Sequence, residues 1–239
     1  MNGESCDEDS AGYPDWFLSQ ADQVQPLPYV FETQHIVLWS APHHMRQTLY
    51  GAYLRVWPSS VVLAKFLVDR FSSLPPVAKD PTLLELGAGI GFCSIATCLV
   101  TGYNIIATEG DSHVLTYLER NCQQTCRVHA ERLQWGDDKV IQELRQKYAL
   151  EGFQYVFGAD VVYEEESIPL LASTIASSLV ERHGLVFLAF SLQFQQLEKQ
   201  LLECMEKFAF EFKERQLRDS VIILTFGRRR VENISVLRD

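Results

Sequence analysis

The chain has 239 residues, 47% of them hydrophobic and 22% charged, with a formal net charge of −10. That is enough apolar material for one packed domain and too much for a disordered chain. The negative balance argues against a general affinity for phosphate backbones, which needs clustered Lys and Arg.

Taken from the start, residues 1–22 carry Glu4, Asp7, Glu8, Asp9, Asp15 and Asp22 and no base, so an acidic, mobile tail is expected there. Residues 23–239 hold 25 acids against 21 bases, a far milder balance. Tyr29 to Ala41 is rich in Val, Ile, Phe and Trp and predicts a strand or hairpin arm. Ser59 to Phe71 has Val62, Leu63, Phe66 and Leu67 at helical spacing, and Ser72 to Pro81 is a proline-bearing linker. From Thr82 a strand–helix rhythm begins. Leu83 to Leu86 predicts a strand, Phe92 to Val100 a helix, Asn104 to Thr108 a strand, and Ser112 to Cys126 a helix. Val128 to Trp135, Phe153 to Ala159 and Leu185 to Phe190 predict further strands. Between and after them, Lys139 to Leu150, Ser167 to Val180 and Phe194 to Phe208 predict helices. Phe210 to Leu217 and Val221 to Phe226 are two last strands joined by a polar turn at Arg218, Asp219 and Ser220.

This alternation implies an α/β fold: a Rossmann-like sheet of seven strands, mostly parallel, with helices on both faces. The final pair has no helix between its strands, so the last strand must run antiparallel. The expected division is an acidic tail (1–22), a β-rich arm (23–58) and the main domain (59–239). No apolar run is long enough to span a membrane, and no secretory signal is visible. The six cysteines form no CxxC and no zinc-type spacing with His, and most lie in apolar helical runs. Reduced thiols, a cytoplasmic or nuclear setting and a monomer are the expectations. His43-His44 lacks further ligands nearby, and Arg228-Arg229-Arg230 is the solvated end of a strand.

The first strand of the rhythm runs straight into Gly87-Ala88-Gly89-Ile90-Gly91. A glycine turn there sets backbone N–H groups at the carboxyl edge of the sheet, where ligands of such folds bind. The spacing is GxGxG, and Phe92 stands where a dinucleotide fingerprint has its third glycine. Glu85, two residues before the first glycine, is an odd neighbour for a pyrophosphate and a reasonable one for a cationic ligand. Glu109 ends the next strand, 18 residues beyond Gly91, where a carboxylate can accept both hydroxyls of a ribose. As structural groups, the glycines would make a tight turn and Glu109 would cap the next helix.

Leu84-Glu85-Leu86-Gly87-Ala88-Gly89-Ile90-Gly91 resembles motif I of the seven-strand, S-adenosyl-L-methionine-dependent (class I) methyltransferases, and the antiparallel last strand is a mark of that fold. Three further segments resemble methyltransferase family 16, largely protein lysine methyltransferases. They are the Gly51 to Pro58 stretch with its Trp57, Leu133-Gln134-Trp135-Gly136, and Asp160-Val161-Val162-Tyr163 after Ala159. The resemblance implies S-adenosyl-L-methionine as cofactor. Trp57 would lie near its methionine end, and Gly87, Gly89 and Gly91 along its methionine and ribose. Glu109 would hold the ribose, Trp135 would pack by the adenine, and Ala159 would offer its backbone.

Methyl transfer from a sulfonium needs a neutral nucleophile held in line, and no metal. By resemblance, Asp160 attracts and orients a lysine ammonium and Tyr163 shapes its channel. As a structural acid, Asp160 would instead cap the helix at Ser167. An Asn-Pro-Pro-Tyr sequence at this place would suggest a planar base or a glutamine amide as acceptor; Asp-Val-Val-Tyr replaces it. Glu164 to Glu166 and Asp137-Asp138 fall near the same sheet edge, as solvated loops or as a negative rim for a basic protein segment. The expected function is methyl transfer to a protein, at lysine Nε. Arginine, nucleic acid, a small molecule or a non-catalytic cofactor-binding scaffold are the alternatives.

Overall fold

The computed structural model describes residues 23–45, 49–72, 82–180 and 184–229. The acidic segment 1–22, the linker beyond Ser72 and Arg230 lie outside the described residues.

The central sheet has seven strands: β3 (Thr82–Leu86), β4 (Asn104–Glu109), β5 (Val128–Arg132), β6 (Tyr155–Ala159), β7 (Leu185–Ser191), β8 (Phe210–Arg218) and β9 (Val221–Arg228). Their spatial order is β5-β4-β3-β6-β7-β9-β8. β9 inserts between β7 and β8 and is antiparallel to both; the other pairings are parallel. The expected fold is therefore the observed one. The β8–β9 turn places Asp219 and Ser220 at φ of 47° and 63°, the left-handed pair that a tight hairpin turn requires.

Strands covered on both faces read as continuous apolar runs. Alternate residues supply two cores. Leu83, Tyr155, Phe157, Phe187 and Ala189 face one side, where α2 (Pro58–Ser72), α3 (Phe92–Thr101) and α4 (Ser112–Cys122) pack. Leu84, Leu86, Val156, Val186 and Leu188 face the other, under α5 (Asp138–Lys147), α6 (Ile168–Ser178) and α7 (Glu198–Lys207). The short α1 (Leu49–Tyr53) precedes α2 and has no apolar periodicity to announce it.

Several boundaries differ from the sequence reading. α4 stops at Cys122 because Gln123 to Thr125 tighten into turns that deliver the chain to β5. β5 ends at Arg132, so Trp135 lies in the loop beyond, although Leu133 N–H still donates to Glu109 C=O at 3.0 Å. Residues Leu192–Leu197 form a 3₁₀ turn ahead of α7. Arg228 is drawn into the fold, donating to Ala176 C=O, and Arg229 pairs with Glu206.

β1 (Gln25–Phe31) and β2 (Gln34–Ser40) form a separate antiparallel hairpin lying on α3 and α4. Its inward residues Phe31, Ile36 and Leu38 are buried in the same core as the sheet. Phe92, where a dinucleotide loop would carry glycine, sits edge-on to Tyr29 and Phe31, each 5.9 Å between ring centres. Asn121 on α4, 2% exposed, completes the junction. It accepts from Trp39 N–H at 2.7 Å and donates to Trp39 C=O and to Ile90 C=O of the glycine loop at 3.3 and 2.9 Å.

Asn121→Ala leaves buried backbone groups of the hairpin and the loop unpaired. It is expected to lower stability by about 2–3 kcal/mol, or roughly 5–10 °C in melting midpoint at this chain length. Thermal unfolding followed by circular dichroism reads this, and an unchanged midpoint contradicts the assigned role.

Candidate functional site

β3 and β6 are neighbours in the sheet, and their chains leave toward different faces. The loops after them meet at the carboxyl edge, the switch point where α/β sheets bind ligands. Gly87, Gly89 and Gly91 have φ of 64°, 56° and 87°, a region L side chains rarely adopt. A Cβ at Gly87 would lie 2.8 Å from Val161 and 3.3 Å from the Trp135 ring, and one at Gly91 2.6 Å from Leu118. At Gly89 nothing lies within 4 Å. The first and third glycines thus serve close packing, and the second leaves the inner curve of the loop open.

Glu109 pins this loop. Its Oε2 accepts from Gly89 N–H at 2.9 Å, and its Oε1 accepts from the N–H groups of Gly110 and Asp111 at 2.9 and 3.1 Å. Desolvation pushes the Glu109 carboxyl above its usual range, against the pull of those three amides. Helix capping of α4 falls to Asp111, which accepts from His113 and Val114 N–H. Of the carboxylate's roughly four acceptor directions three are taken, and the remaining one is on Oε2.

Glu85 is placed otherwise. It is 1% exposed and lies beneath the loop, where Oε2 accepts from Ser94 N–H at 3.1 Å and from the Ser94 hydroxyl. Burial pushes its carboxyl up to about 8, so at neutral pH it is largely uncharged. Where the sequence suggested contact with a cationic ligand, the structure gives a support for the start of α3.

Asp160 follows β6 at φ 55°, a strained conformation for a non-glycine residue and one that collects at functional sites. Its N–H continues the ladder to Ala189 C=O at 2.7 Å. Oδ1 accepts from the Ser59 hydroxyl at 2.7 Å and from Ser191 N–H at 3.2 Å. Asp160 therefore caps the N-terminus of α2, not the helix after Ser167. Oδ2 is buried and has no hydrogen-bond partner among the described residues. Desolvation raises the Asp160 carboxyl, and the Ser59 and Ser191 donors and the Arg55 charge oppose it.

Around this acid the sequence-predicted residues gather unequally. Ala159 ends β6, and Asp160 and Tyr163 lie in the loop after it; Tyr163 is 49% exposed, and burial of its phenol together with the Glu164 charge raises that group. Trp57 is held by its indole N–H to Ala52 C=O at 3.1 Å, and the Arg55 guanidinium lies over its ring at 3.5 Å. Trp135 packs on the Gly87 turn. Asp137 caps α5, and Asp138 accepts from the Ser177 hydroxyl. Glu164, Glu165 and Glu166 are exposed. Sequence reasoning missed Arg55, Ser59 and Ser191. The only local signal was Pro58, a residue favoured in the first turn of a helix, immediately before Ser59.

A family described as lysine methyltransferase matches residues 44–208, which include both loops. Protein N-lysine methyltransferase METTL21A of Danio rerio is 28% identical over 167 residues, 67% of this chain and 71% of that protein. Protein-lysine methyltransferase METTL21E of Mus musculus is 31% identical over 170 residues, 69% of this chain and 63% of that protein. Among solved structures, the T. thermophilus 16S rRNA methyltransferase RsmC in complex with AdoMet and guanosine superposes with a TM-score of 0.60 at 17% identity, over 86% of this chain and 50% of that one. Aeropyrum pernix fibrillarin with S-adenosyl-L-methionine gives 0.54 at 14% identity, over 86% and 84%. At such identities the likeness to the solved structures is one of fold.

The Glu85 proton makes a measurable pH signature. Between the ordinary carboxyl range and about 8 the folded chain keeps a proton that the unfolded chain releases, so stability falls as pH rises. Glu85→Gln, which keeps an acceptor for Ser94, is expected to gain on the wild type progressively from about pH 5 to about pH 8. Denaturant melts across that range test it; parallel curves would contradict the buried, protonated carboxyl.

Proposed function

The chain belongs to the lysine methyltransferase family, and from that premise we propose that it transfers a methyl group from S-adenosyl-L-methionine to the Nε of a lysine in a protein substrate. The observation that carries the reading is the pairing of two carboxylates across the switch point. Glu109 is tied to the glycine loop on one side; Asp160 presents an unpaired oxygen on the other.

The residues fit the cofactor. Glu109 keeps an acceptor direction on Oε2 for a ribose hydroxyl, nothing lies within 4 Å of a Cβ at Gly89, and the Trp135 ring lies against the Gly87 turn as an apolar wall. When bound, S-adenosyl-L-methionine supplies an electrophilic methyl group on a sulfonium. The chain's part is placement and charge. A free lysine is largely protonated at neutral pH, and exposing its amine costs about 4–5 kcal/mol from a reference pKa of about 10.4. Asp160 attracts the ammonium and orients the nitrogen through Oδ2. Because burial raises the Asp160 carboxyl, it is also a better proton acceptor than an exposed aspartate. Tyr163 and Trp57 give the aliphatic stem apolar walls. The exposed Glu164 to Glu166 run adjoins this mouth and favours a substrate segment of positive charge.

Incubation of a cell extract with methyl-labelled cofactor tests the reading. Protein-borne, nuclease-resistant label is expected. Asp160→Asn should lose at least about 100-fold of the transfer while binding the cofactor in calorimetry nearly as wild type. Gly89→Arg should lose both, because its side chain enters the loop. Label removed by nuclease, or undiminished in Asp160→Asn, would overturn the reading.

A further inference from the structure

The Asp160 carboxylate is not held symmetrically. Two donors, the Ser59 hydroxyl at 2.7 Å and Ser191 N–H at 3.2 Å, go to Oδ1. Oδ2 has no partner among the described residues. Ser59 is 1% exposed and occupies the first turn of a 15-residue helix, so its hydroxyl cannot turn to water and its own N–H also points at the acid. A free carboxylate would share its donors between its two oxygens. Here the α2 N-terminus and the end of β7 grip one oxygen from two directions, and the carboxylate plane is fixed.

We propose that Ser59 is a positioning residue: by occupying Oδ1 together with Ser191 N–H, it reserves Oδ2 of Asp160 as the acceptor for the substrate nitrogen. The inference deepens the methyl-transfer reading and rests on it. It also explains why the segment around Trp57, more than 100 residues before Asp160, belongs to the site: Trp57 and Pro58 start the helix whose second residue grips the acid. An unpaired buried acceptor is unfavourable in the free protein, and a donor arriving from the substrate relieves it.

The groups around Asp160 define the controls. Arg55 brings positive charge from the turn before α2, Ser59 and Ser191 bring neutral donors from α2 and β7, and Tyr163 and Glu164 lie on its own loop. The test compares Ser59→Ala, Ser59→Thr and the wild type in two ways. The first is carboxyl-carbon NMR titration of Asp160 in the cofactor-free protein. Loss of the hydroxyl should raise the Asp160 midpoint by about one pH unit, because a hydrogen bond to the charged form is gone; Ser59→Thr should restore it. The second is kcat/KM for a lysine peptide, expected to fall about 10- to 100-fold in Ser59→Ala and to recover in Ser59→Thr, with cofactor affinity unchanged in both. If Ser59→Ala does not fold, Ser59→Cys, a weak donor of similar size, should shift the midpoint the same way. A midpoint unmoved in every variant lacking the hydroxyl would overturn the proposal, as would a loss of kcat/KM that threonine fails to rescue. A wild-type protein that methylates no lysine would instead sink the underlying function while leaving the NMR comparison to judge the geometry.

Discussion

Where two neighbouring strands send their chains to opposite faces of the sheet, a gap opens between their exits, and the candidate site lies in that gap. β3 and β6 make that gap. Neither loop is held by its own sequence alone. The glycine loop is anchored through Glu109, one strand away, by the Gly89 amide. The β6 loop is anchored through Asp160 to α2 and to the end of β7. Each anchor is an acid meeting N–H or O–H donors, and each sits where burial raises its proton affinity. The backbone accepts strain for this: Asp160 has a left-handed φ, which costs a non-glycine residue about 1–2 kcal/mol.

The layers around the gap explain features that look arbitrary in isolation. Phe92 replaces a glycine of the dinucleotide pattern because its ring carries the β1–β2 hairpin. Asn121 then fastens that hairpin to Ile90 of the glycine loop. Cofactor loop and hairpin are thus one hydrogen-bonded unit. The thiols contribute packing: Cys93, Cys98, Cys122 and Cys204 are buried and free, and burial raises each of them, away from reactivity.

Much of this was legible before the structure. β3, β4, β6, β7 and β9 stood out because strands covered on both faces are short apolar runs ended by turn residues, and the exposed edge strand β8 was marked by alternation and the polar turn that follows it. The GxGxG spacing, Glu109 and the Asp160–Tyr163 motif marked the two loops, since each lies at the end of a strand. What was hidden depends on contacts far apart in the chain. Ser59 and Asp160 are separated by 101 positions, and nothing local in either announces the pair. Glu85 could not be told from a ligand contact, because burial under a loop leaves no trace in a five-residue strand. The end of α4 was misread because Gln123 to Thr125 continue as i→i+3 turns with residues a helix also admits, and the end of β5 because Leu133 and Trp135 prolong its apolar pattern beyond Arg132.

On the reading proposed above, these two anchored acids serve transfer of a methyl group to lysine. The most direct measurement is mass spectrometry of peptides from an extract incubated with the protein and a deuterated-methyl cofactor. Deuterated methyl groups on lysine Nε, enriched in sequences bearing positive charge, are the expected result. Deuterated methyl confined to arginine, or absent from every protein while the cofactor is bound, would contradict it.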